Sequence, residues 1–266
     1  MAIIYVRKSG NDANNGTNAT TDAVLTIARA DALVSAGDTV NIGAGVWSEN
    51  VTGNVAITYQ GAGMYETEIH LSSVVTFDAN DAPALRDLTY KYPSGTPNAQ
   101  YALQKVDFDR VYVDFNFCTG ILLGAGISTR DQIYKRCIFT NIPASITFFD
   151  SRHTGVLVQV LNCCFIVPSG VTLTSFVSQP FDSASYAYNN IFYNVQDQSD
   201  SPRWLERIIS SGGSRGYNIF NLSATQVNLE PTEVKGVDPL FEDVAAGNFE
   251  LQSGSPAINF GVPYAE

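Results

Sequence analysis

Four short stretches decide the fold: RCIFTN (136–141), NCCFIV (162–167), NNIFYN (189–194) and YNIFNL (217–222). Their phenylalanines, Phe139, Phe165, Phe192 and Phe220, recur at spacings of 26, 27 and 28 residues. A weaker set of the same kind lies upstream, in RDLTY (86–90), VDFDR (106–110) and FNFCT (115–119). The period drifts too much for an ankyrin or tetratricopeptide array. It suits a β-solenoid, whose coils share a strand pattern but carry loops of different length.

Working outward, each repeat reads as a short strand. In VDFDRVYVDF (106–115) the period of two turns Val106 and Phe108 inward and Asp107 and Asp109 outward. Similar runs end in Gly, Pro, Asn or Ser, residues that favour turns. Stacked coils would build internal ladders of Phe, Ile, Val and Cys, and Asn at the recurrent turns tolerates left-handed backbone. One segment reads as a helix: in TIARADALVSAGD (26–38), Ile27, Ala30, Leu33 and Val34 share a face and Gly37 follows as a stop. The expected fold is all-β, a right-handed parallel β-helix forming one domain over 1–266. Residues 1–36 form an N-terminal cap with its short helix over 24–35, residues 37–236 the coils, and 237–266 a closing segment.

Composition narrows the function. The chain has 266 residues, 45% of them apolar but only 15% charged, with a net charge of −11 and a pI near 4.5. No basic stripe is visible, which argues against a nucleic-acid partner. No apolar run approaches the ~18 residues of a membrane span, so no membrane partner is expected. The opening MAIIYVRKSG lacks the pattern of a secretory signal, and synthesis without export is the expectation. Cys118, Cys137, Cys163 and Cys164 match no common zinc spacing and read as free thiols. No metal or cofactor is expected.

Three longer stretches carry a resemblance. IYVRKSGNDANNGT (4–17), GDTVNIGAGVWSENV (37–51) and VDPLFEDVAAGNFELQSGSPAINFG (237–261) resemble the opening, the following coil and the closing segment of right-handed β-helix proteins of the pectate-lyase-like superfamily, of the type found in bacteriophage virion proteins. The resemblance brackets almost the whole chain and implies the architecture. It leaves activity open, because that superfamily holds lyases, hydrolases, adhesins, phage tailspikes and inert structural modules.

The candidate catalytic residues are Asp87, Asp107 and Asp109, with Asp114 nearby. Asp107 and Asp109 on one strand face would stand roughly 6–7 Å apart, within the range of carboxyl pairs in glycosidases. Asp87 would stack beside Asp107 from the preceding coil, and Arg86 and Arg110 would orient an acidic sugar. The competing reading is that these are solvated charges on the outer face of strands, as alternation alone predicts. The Asn-Thr-Asp and paired Asp-Asp pattern of polygalacturonases is absent, and SPRW (201–204) shares only Pro-Arg with the pectate lyase signature. His70 and His153 stand alone, although His153 lies close to Asp150. Tyr90, Tyr92 and Tyr101 border the loop 91–101, where they would either stack on sugar rings or pack back on the solenoid.

The expected function is a non-catalytic structural or adhesive protein of a bacteriophage virion, as a capsid decoration or a tail-associated, receptor-binding β-helix. Its partners would be other virion proteins or a host-surface glycan, with a homotrimer as the expected oligomer. The alternative is a depolymerase-type polysaccharide lyase or glycoside hydrolase using Asp87, Asp107 and Asp109.

Overall fold

A computed structural model describes residues 1–51, 55–71, 75–76, 83–92, 99–103, 106–116, 118–123, 132–144, 147–149, 157–173, 175–177, 185–195, 214–221 and 229–262. Within these, 75–76, 99–103, 118–123, 147–149 and 175–177 are described as backbone alone. The chain winds coil by coil. The first elements are β1 (Ile3–Val6), α1 (Ile27–Asp31), β2 (Thr39–Ile42), β3 (Gly45–Trp47), β4 (Thr58–Gln60), β5 (Thr67–His70) and β6 (Val75–Thr76). The middle coils hold β7 (Ala84–Lys91), β8 (Ala99–Leu103), β9 (Asp107–Asp114), β10 (Cys118–Leu123), β11 (Gln132–Lys135), β12 (Ile138–Thr140) and β13 (Thr147–Phe149). The last coils hold β14 (Val158–Leu161), β15 (Cys164–Ile166), β16 (Ser175–Val177), β17 (Tyr186–Tyr188), β18 (Ile191–Tyr193), β19 (Ser214–Gly216), β20 (Ile219–Phe220) and β21 (Val234–Lys235). A hairpin of β22 (Phe241–Asp243) and β23 (Asn248–Leu251) follows.

The pairing is that of a parallel β-solenoid. A 16-stranded sheet carries two adjoining columns of strands, and a 5-stranded sheet, β6-β8-β10-β13-β16, forms another wall. Every described pair between coils is parallel, and β22 with β23 is the antiparallel exception. The two columns merge at β7 and β9, each of which pairs through its first half with one column and through its second half with the other.

A corner separates the halves. Asp87, Arg110, Arg136, Asn162, Asn189 and Tyr217 all adopt left-handed backbone, with φ between 52° and 59°. One such residue per coil turns the chain and sends the next side chain into the interior. Leu88, Val111, Cys137, Cys163, Asn190 and Asn218 follow these corners, and all are buried. The equivalent corner of an earlier coil holds Gly61, where a Cβ would lie 2.1 Å from the Asp87 carbonyl oxygen.

Registry makes ladders of the interior. Through the first column run Ile4, Val40, Tyr59, Leu85, Phe108, Tyr134, Val160, Ala187 and Arg215. Through the second run Trp47, Ile69, Tyr90, Val113 and then the four repeat phenylalanines. Phe139, Phe165, Phe192 and Phe220 are stacked at centroid distances of 5.1, 5.1 and 4.9 Å with ring planes within 9°. This near-parallel stacking is dictated by the strand spacing of about 4.8 Å, which brings identical rotamers into face contact.

The two termini differ from the expectation in detail. The helix is shorter than 24–35, spanning Ile27–Asp31, with the Thr26 hydroxyl accepting from the Arg29 amide at its start. Within 1–36, β1 is itself the first rung, paired with β2. Its other edge is occupied by the polar loop: Tyr5 N donates to Gly16 O, Arg7 N to Val24 O, and Val24 N to Tyr5 O. Asp12 fixes that loop by accepting from the Leu25 and Thr26 amides and the Thr26 hydroxyl. An edge so occupied offers no template for another strand.

At the other terminus, the segment after β21 folds back along the outside of the second column. There Tyr112, Ile138, Cys164 and Ile191 form an outward row in register. Phe241 and Phe249 of the hairpin bury against Ile166 and Ile191. The Tyr112 and Phe249 rings stack at 6.2 Å, and Tyr193 meets Phe241 edge-on at 5.6 Å. The segment takes this path because the outward row is apolar and needs cover.

Truncating Phe192 to Ala should cost about 3–5 kcal/mol, the usual penalty for emptying a buried aromatic site; chemical denaturation checks it, and a loss under ~1 kcal/mol would contradict the stack. Deleting residues 1–36 should expose the β2 edge and the Val40 column and cause aggregation. Size-exclusion chromatography of that truncation reads the outcome.

Candidate functional site

The sequence directs attention to Asp87, Asp107 and Asp109, and the structure places all three on the outer side of the first column and its corner. Val106 and Phe108 point inward and are buried, whereas Asp107 and Asp109 are partly exposed, as the alternation predicts. Asp107 is not stacked beside Asp87. Its partner across the coil is Ala84, while Asp87 sits at the corner, between the pairs Arg86–Asp109 and Leu88–Val111. The left-handed residue explains the offset: Asp87 and Arg110 leave the strand pairing and face one another.

The carboxylates are heavily engaged. Asp87 accepts from Gln60 at 2.6 Å and from Arg110 Nη2 at 2.8 Å, with Arg110 Nε closing a two-pronged pair. Asp109 accepts from Arg136 Nε and Nη2 at 2.9 Å each, and from Arg110 Nη1 at 3.1 Å. The result is one chain across four coils, Gln60–Asp87–Arg110–Asp109–Arg136. Bidentate arginine–carboxylate pairs are the strong form of this contact. Asp107 instead accepts the Ile133 backbone amide at 2.9 Å. A depression of about 130 Å³ lies between Arg86, Asp107, Asp109 and Lys135, less than half the ~300 Å³ at which clefts for drug-sized ligands begin.

Electrostatics follow from the partners. The Arg110 guanidinium bonded to Asp87, helped by the Gln60 amide, holds that carboxyl below the ordinary range against the opposing effect of burial. Arg110 is pushed up by the same pair. A glycosidase acid needs the reverse, a carboxyl whose pKa is raised.

The other sequence candidates scatter. Asp114 accepts from the Asn141 amide at 2.8 Å and the Asn116 backbone. His70 closes β5 and shares Glu68 with Lys91, each at 2.8 Å. Tyr90 and Tyr92 are core residues with 0% and 2% exposure, which removes them as sugar platforms. Cys137 and Cys163 are free thiols in the interior and Cys164 is free on the outer row, its pKa pushed by burial to about 12. His153 and Asp150 lie outside the described residues, as do SPRW and the side chains of Tyr101 and Cys118. Among the described residues no group of three His, Cys, Asp or Glu side chains converges to hold a metal ion.

Sequence reasoning missed the polar end of the interior. Asn190 and Asn218, both fully buried, form a chain of amides: Asn190 donates to Val160 O and Asn218 Oδ1, and Asn218 donates to Ala187 O and to Glu233 at 2.7 Å. Glu233 faces Arg215 at 3.4 Å, and both side chains are at most 1% exposed. Ala187 beneath Arg215 leaves room for the guanidinium. Burial pushes the Glu233 carboxyl up, with Arg215 and Asn218 pulling the other way. The available signal was positional, since Asn190 and Asn218 each follow a corner residue where earlier coils carry Leu, Val or Cys.

These two carboxyls give stability opposite pH dependences. Asp87 has a folded value below the unfolded ~3.9, so its contribution is complete above that pH and is lost as pH falls through the folded value. Glu233 has a folded value above the unfolded ~4.3, so folding is favoured by its protonated form and stability declines as pH rises through that window. Asp87→Asn should flatten the acid limb below pH ~4, and Glu233→Gln the decline above it; denaturation midpoints across pH 3–7 check both.

No protein-family model, curated protein or solved structure matches this chain.

Proposed function

We propose that this chain is a non-catalytic structural or adhesive β-solenoid of a bacteriophage particle, of the pectate-lyase-like type, docking onto other virion proteins or onto a host-surface glycan as a homo-oligomer. The observation that carries the non-catalytic half is the continuous chain Gln60–Asp87–Arg110–Asp109–Arg136. Two of the three candidate carboxylates, Asp87 and Asp109, are bonded to arginines and tie rung to rung, while Asp107 accepts the Ile133 backbone amide of the next coil. A cleaving site instead holds two carboxyls with separated pKa values over a sugar-sized cleft. The particle assignment draws on the resemblance of the stretches 4–17, 37–51 and 237–261, and on a surface rich in Asn, Ser and Thr with few charges, suited to polar docking.

Incubation with a panel of capsular and O-antigen polysaccharides should release neither new reducing ends nor unsaturated products. Cleavage abolished by Asp107→Asn or Asp109→Asn would replace this reading with a depolymerase. Mass spectrometry of purified particles should detect the protein, and its absence would remove the virion placement.

A further inference from the structure

The C-terminal segment, where it lies against the corner row, roofs a cavity apart from the carboxylate ladder. It holds about 250 Å³ and is about half open to solvent. Its lining includes the apolar side chains of Ile219 and Leu251, the aromatic side chains of Tyr217 and Phe260, and the amides of Asn162 and Asn189. The aromatic rings meet edge-to-face at 6.4 Å. Asn189 holds the roof down: its amide donates to Val262 O at 2.9 Å and its carbonyl accepts from Val262 N at 3.1 Å. It also donates to the Asn162 side-chain oxygen at 3.2 Å. The Asn162 amide nitrogen and the Tyr217 hydroxyl make no side-chain hydrogen bond among the described residues.

The lining selects a ligand class. Among the described residues no Asp, Glu, Lys or Arg lines the cavity, although the same corner row is ionic in earlier coils, at Asp87, Arg110 and Arg136, and the chain carries −11 overall. A charged ligand would lose water without gaining a counter-charge. A purely apolar ligand would strand the amide and hydroxyl. What fits is a neutral ring with one apolar C–H face for the aromatic side chains and hydroxyls at its edge for the Asn162 amide and Tyr217 hydroxyl. The volume admits one ring rather than a chain.

We propose that this cavity is a binding subsite for a single neutral pyranose unit, such as the terminal residue of a glycan. It is argued from the cavity alone, so its failure would leave the particle assignment standing, and absence from particles would leave the subsite standing.

Saturation-transfer NMR on the full chain tests it, with methyl α-D-glucopyranoside, methyl β-D-galactopyranoside and N-acetyl-D-glucosamine as probes and glucuronate and cyclohexanol as comparison ligands. At least one neutral pyranose should bind with a Kd on the order of 1 mM, with transfer strongest at ring C–H protons. Tyr217→Ala and Phe260→Ala should weaken it by about tenfold or more. Asn162→Gly, at an exposed position whose left-handed backbone glycine adopts without strain, should weaken it while far-UV circular dichroism keeps its native form. No transfer from any neutral pyranose, equal binding by all three variants, or preferential binding of glucuronate or cyclohexanol would each overturn the subsite.

Discussion

The structure depends on one backbone constraint: a residue held in the left-handed region at the same corner of six successive coils, from Asp87 to Tyr217. For a non-glycine residue that conformation costs roughly 1–2 kcal/mol. Asn and Asp tolerate it best, and Asp87, Asn162 and Asn189 fit that preference. Arg110, Arg136 and Tyr217 do not. Arg136 is held there by the next coil, its N donating to Leu161 O, and Tyr217 by its N donating to the Thr232 hydroxyl. A corner out of step by one residue would turn every following side chain to the wrong face.

Registry then converts a one-dimensional repeat into interactions that no single coil makes. Stacked phenylalanines gain face contact because their strands are fixed one spacing apart. The same geometry satisfies buried amides: an Asn facing inward finds a carbonyl of the preceding coil and the next Asn of the following one. This is why the interior can shift from Leu88 and Val111 through Cys137 and Cys163 to Asn190, Asn218 and Glu233 without orphaned polar groups along that row. Outside, the corner residues Asp87, Arg110 and Arg136, together with Asp109 just before one corner, meet as the Asp87–Arg110–Asp109–Arg136 ladder.

The solenoid's flanks are finished by segments that do not belong to the repeat. The loop after β1 hydrogen-bonds the first edge, and the segment after β21 covers an apolar outer row. Covering a lateral face leaves a seam between roof and coil, and the cavity beside Tyr217 and Phe260 lies in that seam.

The coil repeat and the inward stacking of Phe139, Phe165, Phe192 and Phe220 are legible along the chain, because period-two alternation and a shared Phe are local signals. The sequence also placed Asp107 and Asp109 outward beside inward Val106 and Phe108. It misjudged Asp87 because pairing was read as strand against strand, and a left-handed residue at 87 and 110 shifts which side chains meet. Only the tertiary structure decided what each carboxylate touches, since Arg110 and Arg136 lie 23 and 27 residues from the aspartates they bind. It alone also decided that Arg215 points inward to Glu233, and that the C-terminal segment lies along a flank. Those outcomes rest on contacts between coils, and spacing along the chain carries no record of which outward row is left apolar and in need of cover.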